Sequence, residues 1–179
     1  WIKEALDAHT TLVLLPSLSL LSQTMREWAW AGNTDFEILN VCSDKSVGKK
    51  TEELDPTDAS FPVTSEVEEI AKFLKQPKPK VVFCTYQSSN LIAQAQIDDA
   101  VPSFDLAVAD EAHRCAGKAD AGFATILDGE KIRAFKRLFT TATPTVSGTA
   151  TKDVGNLRGV NTIGMDDEAA FGPVIHKLL

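Results

Sequence analysis

The sequence has no long apolar run, and no stretch approaches the ~18 residues that a membrane-spanning helix requires. It also opens without the basic and apolar regions of a signal peptide. Its three cysteines, Cys42, Cys84 and Cys115, lie far apart and form no CxxC pair, which argues against a zinc site and a disulfide framework. We therefore expect a cytoplasmic protein without a membrane partner, in which Cys42 and Cys84 are small buried apolar residues.

An excess of basic residues is also missing. The 179 residues contain 18 Lys and Arg against 25 Asp and Glu, which gives a net charge of −7. Because self-sufficient nucleic-acid-binding domains are usually basic, any nucleic-acid role must use local loops or a partner domain that supplies positive charge. The length and the apolar content of 44% fit one well-cored globular domain.

Strand-like and helical patterns alternate along the chain. Short apolar or alternating runs predict strands at residues 11–15, 36–41, 81–84, 106–109 and 137–140. Helical spacing occurs at residues 1–8, 17–30, 64–74, 88–96 and 123–127, Asp166 and Asp167 are placed to open a last helix, and residues 43–61 predict a polar loop. This alternation predicts an α/β fold with a parallel sheet and helices on both faces, in which ligands bind at the carboxyl ends of the strands.

Four of the predicted strands are followed by polar residues. These ends carry Pro16-Ser17-Leu18-Ser19, Thr85-Tyr86-Gln87-Ser88, Asp110-Glu111-Ala112-His113 and Thr141-Ala142-Thr143-Pro144. Their order resembles the first motor domain of superfamily-two helicases and translocases, in which DEAH and TAT-type motifs follow apolar strands. PSLSLLSQ and FCTYQS fit the two nucleic-acid-facing motifs of that family, Ia and Ib. The form DEAHR-x-x-G resembles the branch found in restriction enzymes and related large bacterial helicases.

The resemblance covers nearly the whole chain and implies a RecA-like sheet, ATP and Mg²⁺ as cofactors, and DNA or RNA as partner, with DNA favoured. It implies ATP hydrolysis coupled to movement along the nucleic acid. The chemistry of the acid pair agrees, because Asp110 can orient Mg²⁺ through water and Glu111 can deprotonate the attacking water. The alternative is a surface loop with exposed acids.

His113 has a role that only the resemblance implies. It would link the ATP site to Thr141, Ala142 and Thr143, so that hydrolysis reaches the nucleic-acid side. The alternative is a histidine that caps a helix. No HExxH sequence is present, which excludes a zinc-protease interpretation. The other two histidines, His9 and His176, have no metal-spaced companions and are expected to be structural or surface residues.

Hydroxyl and amide side chains after the first and third predicted strands can donate hydrogen bonds to phosphate oxygens without reading base sequence. The predicted nucleic-acid-binding residues are Pro16, Ser17, Ser19, Thr85, Tyr86, Gln87 and Ser88. Tyr86 either stacks on a base or packs in the core. Ser17 and Ser88 can also cap helices, which does not exclude a phosphate contact.

The phosphate loop G-x-x-x-x-G-K-[ST] is absent. The nearest match is residues 46–51, in which Lys50 stands where Ser or Thr must bind Mg²⁺. The first Gly of the motif would fall at residue 43, which is Ser, so we interpret this stretch as an ordinary loop. The resemblance implies that the true loop lies upstream of Trp1 and that a second motor domain lies downstream of Leu179. Residues 1–179 would then be a single partial RecA-like domain with motifs Ia to III, incomplete at the N-terminus.

Two functional hypotheses follow: a fragment of an ATP-driven helicase or translocase, or a non-catalytic interaction domain with a degenerate motor fold. The intact Asp110–Glu111 pair favours the first. In the family's sheet order the phosphate-loop strand lies beside strand 137–140, so this strand is expected to form an open edge. We expect self-association through that edge, with cover by residues 171–179 or by upstream residues as the alternatives.

The missing phosphate loop predicts that the 179-residue chain alone has no significant ATPase activity. Phosphate release with and without nucleic acid, beside a longer protein that includes the upstream residues, measures this directly. Robust turnover by the chain alone would contradict the prediction.

Overall fold

The computed structural model describes residues 2–31, 36–42, 62–118, 122–146 and 162–176. The strands are β1 (Thr10–Leu15), β2 (Glu37–Val41), β3 (Val63–Thr64), β4 (Lys80–Thr85), β5 (Phe104–Ala109), β6 (Gly117–Lys118), β7 (Ala134–Phe139) and β8 (Thr162–Ile163). The α-helices are α1 (Ile2–Ala5), α2 (Leu18–Ala31), α3 (Val67–Leu74), α4 (Ser89–Ala95) and α5 (Glu168–Phe171). Tyr86–Ser88, Ala112–Cys115 and Gly122–Leu127 form 3₁₀ helices.

Six of these strands form one parallel sheet in the order β3-β2-β4-β1-β5-β7. The two central strands, β1 and β4, are almost entirely buried, as their continuous apolar sequences predict for strands covered on both faces. β6 and β8 form a separate antiparallel pair. The predicted α/β fold with a parallel sheet is therefore confirmed.

Helices cover both faces of the sheet, as predicted. Because successive side chains of a strand point to opposite faces, Leu12 and Leu14 join the cluster that contains α3 and α4 residues. Val13 and Leu15 join a second cluster with residues of α2. None of the helices in the described ranges has the length and apolar character needed to cross a membrane.

Several boundaries differ from the sequence-based expectations. α3 begins at Val67 rather than Thr64, because Thr64 ends β3 and its hydroxyl accepts a hydrogen bond from the Glu66 backbone N–H (3.0 Å). β7 begins at Ala134 rather than residue 137, since an edge strand with exposed Phe135 and Lys136 lacks the continuous apolar run of a central strand. The expected helix 123–127 is a 3₁₀ helix.

The expectations for the last helix and for the cysteines are confirmed, whereas one predicted loop cannot be compared with the structure. Asp167 caps α5 by accepting hydrogen bonds from the backbone N–H groups of the second and third helical residues. The three cysteines are buried free thiols, and burial raises the pKa of Cys115 to about 11. The loop predicted at 43–61 lies outside the described residues.

β7 is the last strand of the sheet within the described ranges, which is the edge position that the family order predicts. It is hydrogen-bonded to β5, and the ring of Phe139 meets the ring of Phe171 edge-on at 5.1 Å. The described part of the C-terminal segment thus packs against a side chain of this strand without extending the ladder. Self-association through the edge stays a prediction.

Asp105 on β5 connects this strand to the start of β1. Its carboxylate Oδ2 accepts hydrogen bonds from the backbone N–H groups of His9 (2.9 Å) and Thr10 (2.8 Å). The two donors lie just where β1 enters the sheet, so their satisfaction helps to fix the position of the central strand.

We expect Asp105→Ala to lower the free energy of unfolding of the chain by about 1–3 kcal/mol, because two backbone donors lose their acceptor. Asp105→Asn should lose less, since the amide oxygen can still accept. Asp99→Ala, which removes a fully exposed partner of Arg133, is the control and should change stability by less than ~0.5 kcal/mol. Urea unfolding measures all three, and equal effects of Asp105→Ala and Asp99→Ala would contradict the assignment.

Candidate functional site

The four polar strand ends lie side by side at one edge of the sheet. β4, β1, β5 and β7 are adjacent and parallel, and their last residues are in register: Leu15 pairs with Thr85, Leu14 with Ala109, and Ala109 with Phe139. The residues that follow each strand therefore emerge next to one another. This edge is the carboxyl edge, where ligands of parallel α/β sheets bind.

Asp110 is held by bonds to three neighbouring segments. Its backbone N–H donates to the carbonyl of Leu14 (3.0 Å), and its own carbonyl accepts from the Tyr86 hydroxyl (2.7 Å). The carboxylate oxygen Oδ1 accepts from the Thr140 hydroxyl (2.9 Å) and from the Glu111 backbone N–H (3.0 Å). The half-buried carboxylate is therefore oriented before any ligand arrives.

Glu111 adopts the left-handed backbone conformation, with φ 51° and ψ 45°. For a residue with a Cβ this conformation costs about 1–2 kcal/mol and persists only where the surroundings enforce it. The turn is held on its far side because the N–H of Ala112 donates to the Thr140 carbonyl (2.9 Å) and the N–H of Arg114 donates to the Glu111 carbonyl (3.1 Å). No pattern in the sequence signals this conformation.

One nitrogen of His113 joins the acid pair to the following strand end. Nδ1 lies 3.2 Å from Glu111 Oε2, 3.0 Å from Thr141 Oγ1 and 3.5 Å from Thr143 Oγ1. The Thr141 hydroxyl also lies 3.4 Å from Glu111 Oε2. The same Thr141 oxygen accepts a hydrogen bond from the Thr143 backbone N–H (3.1 Å). His113 thus bridges two strand ends instead of capping a helix, and Ala142 is exposed between the two threonines.

The spacing of these contacts follows from strand register. Asp110–Thr140, Glu111–Thr141 and His113–Thr143 are each separated by 30 residues. The paired residues Ala109 and Phe139 have the same separation. The sequence patterns did not single out Thr140, and this constant offset is the signal that could have found it.

The residues that follow β4 differ from expectation because most of them are buried. Thr85 and Ser88 lie in the interior, where the Thr85 hydroxyl donates to Ser88 Oγ (3.0 Å). Tyr86 is fully buried with its ring 5.5 Å from that of Phe123, and burial raises the pKa of its hydroxyl far above the usual value. These positions match the packing alternative for Tyr86, and Gln87 is the exposed residue of the group.

The residues that follow β1 are also only partly accessible, which reduces the predicted contact surface. Pro16 is buried, Ser17 is half-buried and Ser19 is exposed. Ser17 Oγ accepts from the Leu20 backbone N–H (3.3 Å), so it caps α2, whereas Ser88 makes no side-chain cap for α4.

Direct nucleic-acid contact by the predicted residues stays a prediction, and burial sets four of these residues apart from the exposed ones. The side chains that face the interior are those of Pro16, Thr85, Tyr86 and Ser88. They support the surface from below. The hydroxyls of Thr85, Tyr86 and Ser88 are already hydrogen-bonded in the interior and would reach a phosphate only if the core opened.

The chemistry of the acid pair suits a hydrated Mg²⁺. This ion keeps several waters and is usually held by one or two carboxylates together with phosphate oxygens. Within the described ranges, no group of three or more His, Cys, Asp or Glu side chains could form a dedicated metal cage. Asp110 and Glu111 offer hard oxygen ligands of the kind that Mg²⁺ prefers. The loop at residues 46–51 lies outside the described residues.

The remaining two histidines are exposed and lie far from this cluster along the sequence. His9 is exposed at the amino end of β1, the end opposite to the polar strand ends, and its Nε2 lies 3.8 Å from the exposed Asp7 carboxylate. His176 is exposed near the C-terminal end of the described residues.

Comparison with known proteins gives a consistent family. The family described as "Type III restriction enzyme, res subunit" matches residues 2–146. Relatives include the "probable helicase A859L" of African swine fever virus, from a South African tick isolate (Pretoriuskop) and from strain Badajoz 1971. Each is 33% identical over 134 residues, which are 74% of this chain and 14% of the viral protein.

Two solved structures are similar in fold and sequence. The ATP-dependent type ISP restriction-modification enzyme LlaBIII, bound to DNA, has a TM-score of 0.67 and 30% identity, covering 96% of this chain and 12% of that enzyme. A nuclease-deletion mutant of the type ISP enzyme LlaGI, with a DNA substrate mimic, has a TM-score of 0.64 and 29% identity, covering 91% of this chain and 14% of that enzyme. The chain belongs to the family of type III restriction enzyme res subunits and has the fold of the first RecA-like motor domain of superfamily-two helicases, in the restriction-related branch.

Proposed function

We propose that the protein containing this chain is an ATP-dependent nucleic-acid helicase or translocase with ATP and Mg²⁺ as its cofactors. The observation that supports this most strongly is the connection of Glu111 through His113 to Thr141. An acid pair suited to phosphoryl transfer is thereby joined to a second strand end by one imidazole nitrogen. A surface loop with unconnected acids would have no such network.

Each residue of the cluster has a distinct proposed task. When bound, Mg²⁺ neutralises charge on the β- and γ-phosphates of ATP. Asp110 would hold the ion through water, with its carboxylate already oriented by Thr140. Glu111, whose side chain is 37% exposed, orients the attacking water and accepts its proton. His113 and Thr141 hold the Glu111 carboxylate, so that their contacts with it change when the carboxylate takes up the proton.

DNA is the favoured nucleic acid. The similar enzymes LlaBIII and LlaGI are described in complex with DNA or a DNA mimic, and the same partner is proposed here. The accessible donors Ser17, Ser19 and Gln87 are uncharged and suit contacts to phosphate oxygens. We propose that positive charge comes from other parts of the full-length protein, including a second motor domain, because this chain carries a net charge of −7.

We expect Glu111→Gln in the full-length protein to lower kcat for ATP hydrolysis by roughly 10²–10⁴-fold, because an amide cannot take the proton of the attacking water. ATP binding should change by less than about twofold, since shape and Asp110 remain. Phosphate release and binding of a fluorescent ATP analogue measure the two effects separately.

Two further variants complete that experiment. Asp110→Asn should weaken Mg²⁺-dependent nucleotide binding in addition to hydrolysis, while Asp99→Asn, a change at a fully exposed carboxylate, should alter neither. Near-normal turnover by Glu111→Gln would refute the assignment of the general base. Absence of ATP hydrolysis by the unaltered full-length protein would instead favour the non-catalytic interaction domain.

We expect the double variant Ser19→Ala, Gln87→Ala to weaken binding of the full-length protein to DNA by roughly threefold to tenfold at fixed salt, because two neutral hydrogen bonds are lost. The slope of log affinity against log salt should stay the same, since that slope counts cationic contacts. Fluorescence anisotropy over a salt series measures both quantities.

The matched control is Gln94→Ala, Ser103→Ala. Gln94 is exposed near the end of α4, and Ser103 precedes β5 at the opposite edge of the sheet. Equal loss of affinity in both double variants, or none in either, would refute the proposed contact surface.

A further inference from the structure

Tyr86 is a large, fully buried side chain directly behind the acid pair. Its hydroxyl donates to the backbone carbonyl of Asp110 at 2.7 Å, across 24 residues of sequence. The ring rests against Phe123, and Cys115 lies close enough to affect the pKa of the hydroxyl. A buried hydroxyl is unfavourable unless it is hydrogen-bonded, so the bond to Asp110 accounts for a tyrosine where phenylalanine would fill the same space.

The carbonyl that Tyr86 holds belongs to the peptide immediately before Glu111. That residue has φ 51°, so the orientation of this peptide decides where the Glu111 side chain points. On the other side of the turn, Thr140 receives the Ala112 N–H. The strained turn is therefore held from β7 on one side and from the end of β4 on the other.

The other end of this connection is at the surface. Tyr86 opens the 3₁₀ helix Tyr86–Ser88, in which Gln87 is exposed and is one of the proposed phosphate contacts. The hydroxyl of Thr85, just before this short helix, donates a hydrogen bond to Ser88 at its end, which ties the two ends of the helix together. A shift of Gln87 on binding nucleic acid would thus be passed to its neighbour Tyr86, whose hydroxyl holds the peptide before Glu111.

We propose that Tyr86 is a positioning residue for ATP hydrolysis, which holds the Glu111 turn and connects it to the nucleic-acid-facing 3₁₀ helix at the end of β4. The inference rests on the proposed function and adds a second route between the two sites, separate from the contacts of His113. Tyr86 does not touch the reacting atoms, so it acts only through the placement of Glu111.

The test is Tyr86→Phe in the full-length protein, which keeps the ring and removes the hydroxyl. We expect kcat for DNA-stimulated ATP hydrolysis to fall roughly fivefold to twentyfold, with KM for ATP within about twofold of the wild type. In a Glu111→Gln background the same change should have no further effect on the residual rate, because its only target is gone.

Phe83→Leu is the control for stability. Phe83 is buried on the opposite face of the sheet, where its ring meets Trp28 at 5.5 Å, and its replacement should lower the unfolding temperature without changing kcat. If Phe83→Leu lowers kcat as much as Tyr86→Phe does, the effect is one of stability and the inference is overturned.

The remaining outcomes are also decisive. Wild-type kcat in Tyr86→Phe, a rise in KM without a fall in kcat, or additive loss in the Glu111→Gln background would overturn the inference while the proposed function stands. If Glu111→Gln itself retains full activity, the general-base assignment fails and the role of Tyr86 falls with it. If the unaltered full-length protein hydrolyses no ATP, the proposed function itself fails.

Discussion

The parallel pairing of β5 with β7 is the constraint on which the candidate site depends. It sets Ala109 opposite Phe139, and three contacts between the DEAH residues and the threonines repeat this offset of 30 residues: Asp110–Thr140, Glu111–Thr141 and His113–Thr143. A slip of one residue would turn each side chain to the other face of the sheet and separate Glu111 from Thr141. The buried apolar residues of β5 and the partly buried ones of β7 therefore determine the geometry of polar groups that lie beyond both strands.

The left-handed turn at Glu111 is the point at which this framework is under strain. Hydrogen bonds from Tyr86, Thr140 and Arg114 surround the turn and hold it in a conformation that an isolated chain would avoid. The partners come from the ends of β4 and β7 and from the 3₁₀ helix Ala112–Cys115. A carboxylate placed in this way is oriented without the ligand, which lowers the reorganisation that binding requires.

The sheet and the order of its functional strand ends could be predicted from sequence, because a short apolar run followed directly by polar residues is typical of a buried parallel strand that ends at a ligand-binding edge. β1 and β4 are buried on both faces, and their apolar runs are plain in the sequence. β7 was predicted too short, since the exposed residues Phe135 and Lys136 at an edge strand break the apolar pattern. Edge strands are defined by their neighbours, and local sequence does not contain that information.

The details of the site were less accessible to sequence reasoning. A tyrosine after a strand fits both a stacking surface and a packed core, and the burial of Tyr86 depends on Phe123 and Cys115 far along the chain. The buried hydroxyls of Thr85 and Ser88 are hydrogen-bonded to each other, and no spacing rule distinguishes such a pair from two exposed hydroxyls. The roles of Asp110, Glu111 and His113 stay predictions that the geometry supports.

A structure of the full-length protein with Mg²⁺ and a non-hydrolysable ATP analogue would be the sharpest test of the roles proposed for the acid pair. We expect Mg²⁺ one water away from the Asp110 carboxylate, with the Glu111 carboxylate about 3 Å from a water in line with the γ-phosphate. A nucleotide bound elsewhere, or a Glu111 side chain turned away from the γ-phosphate, would contradict these roles.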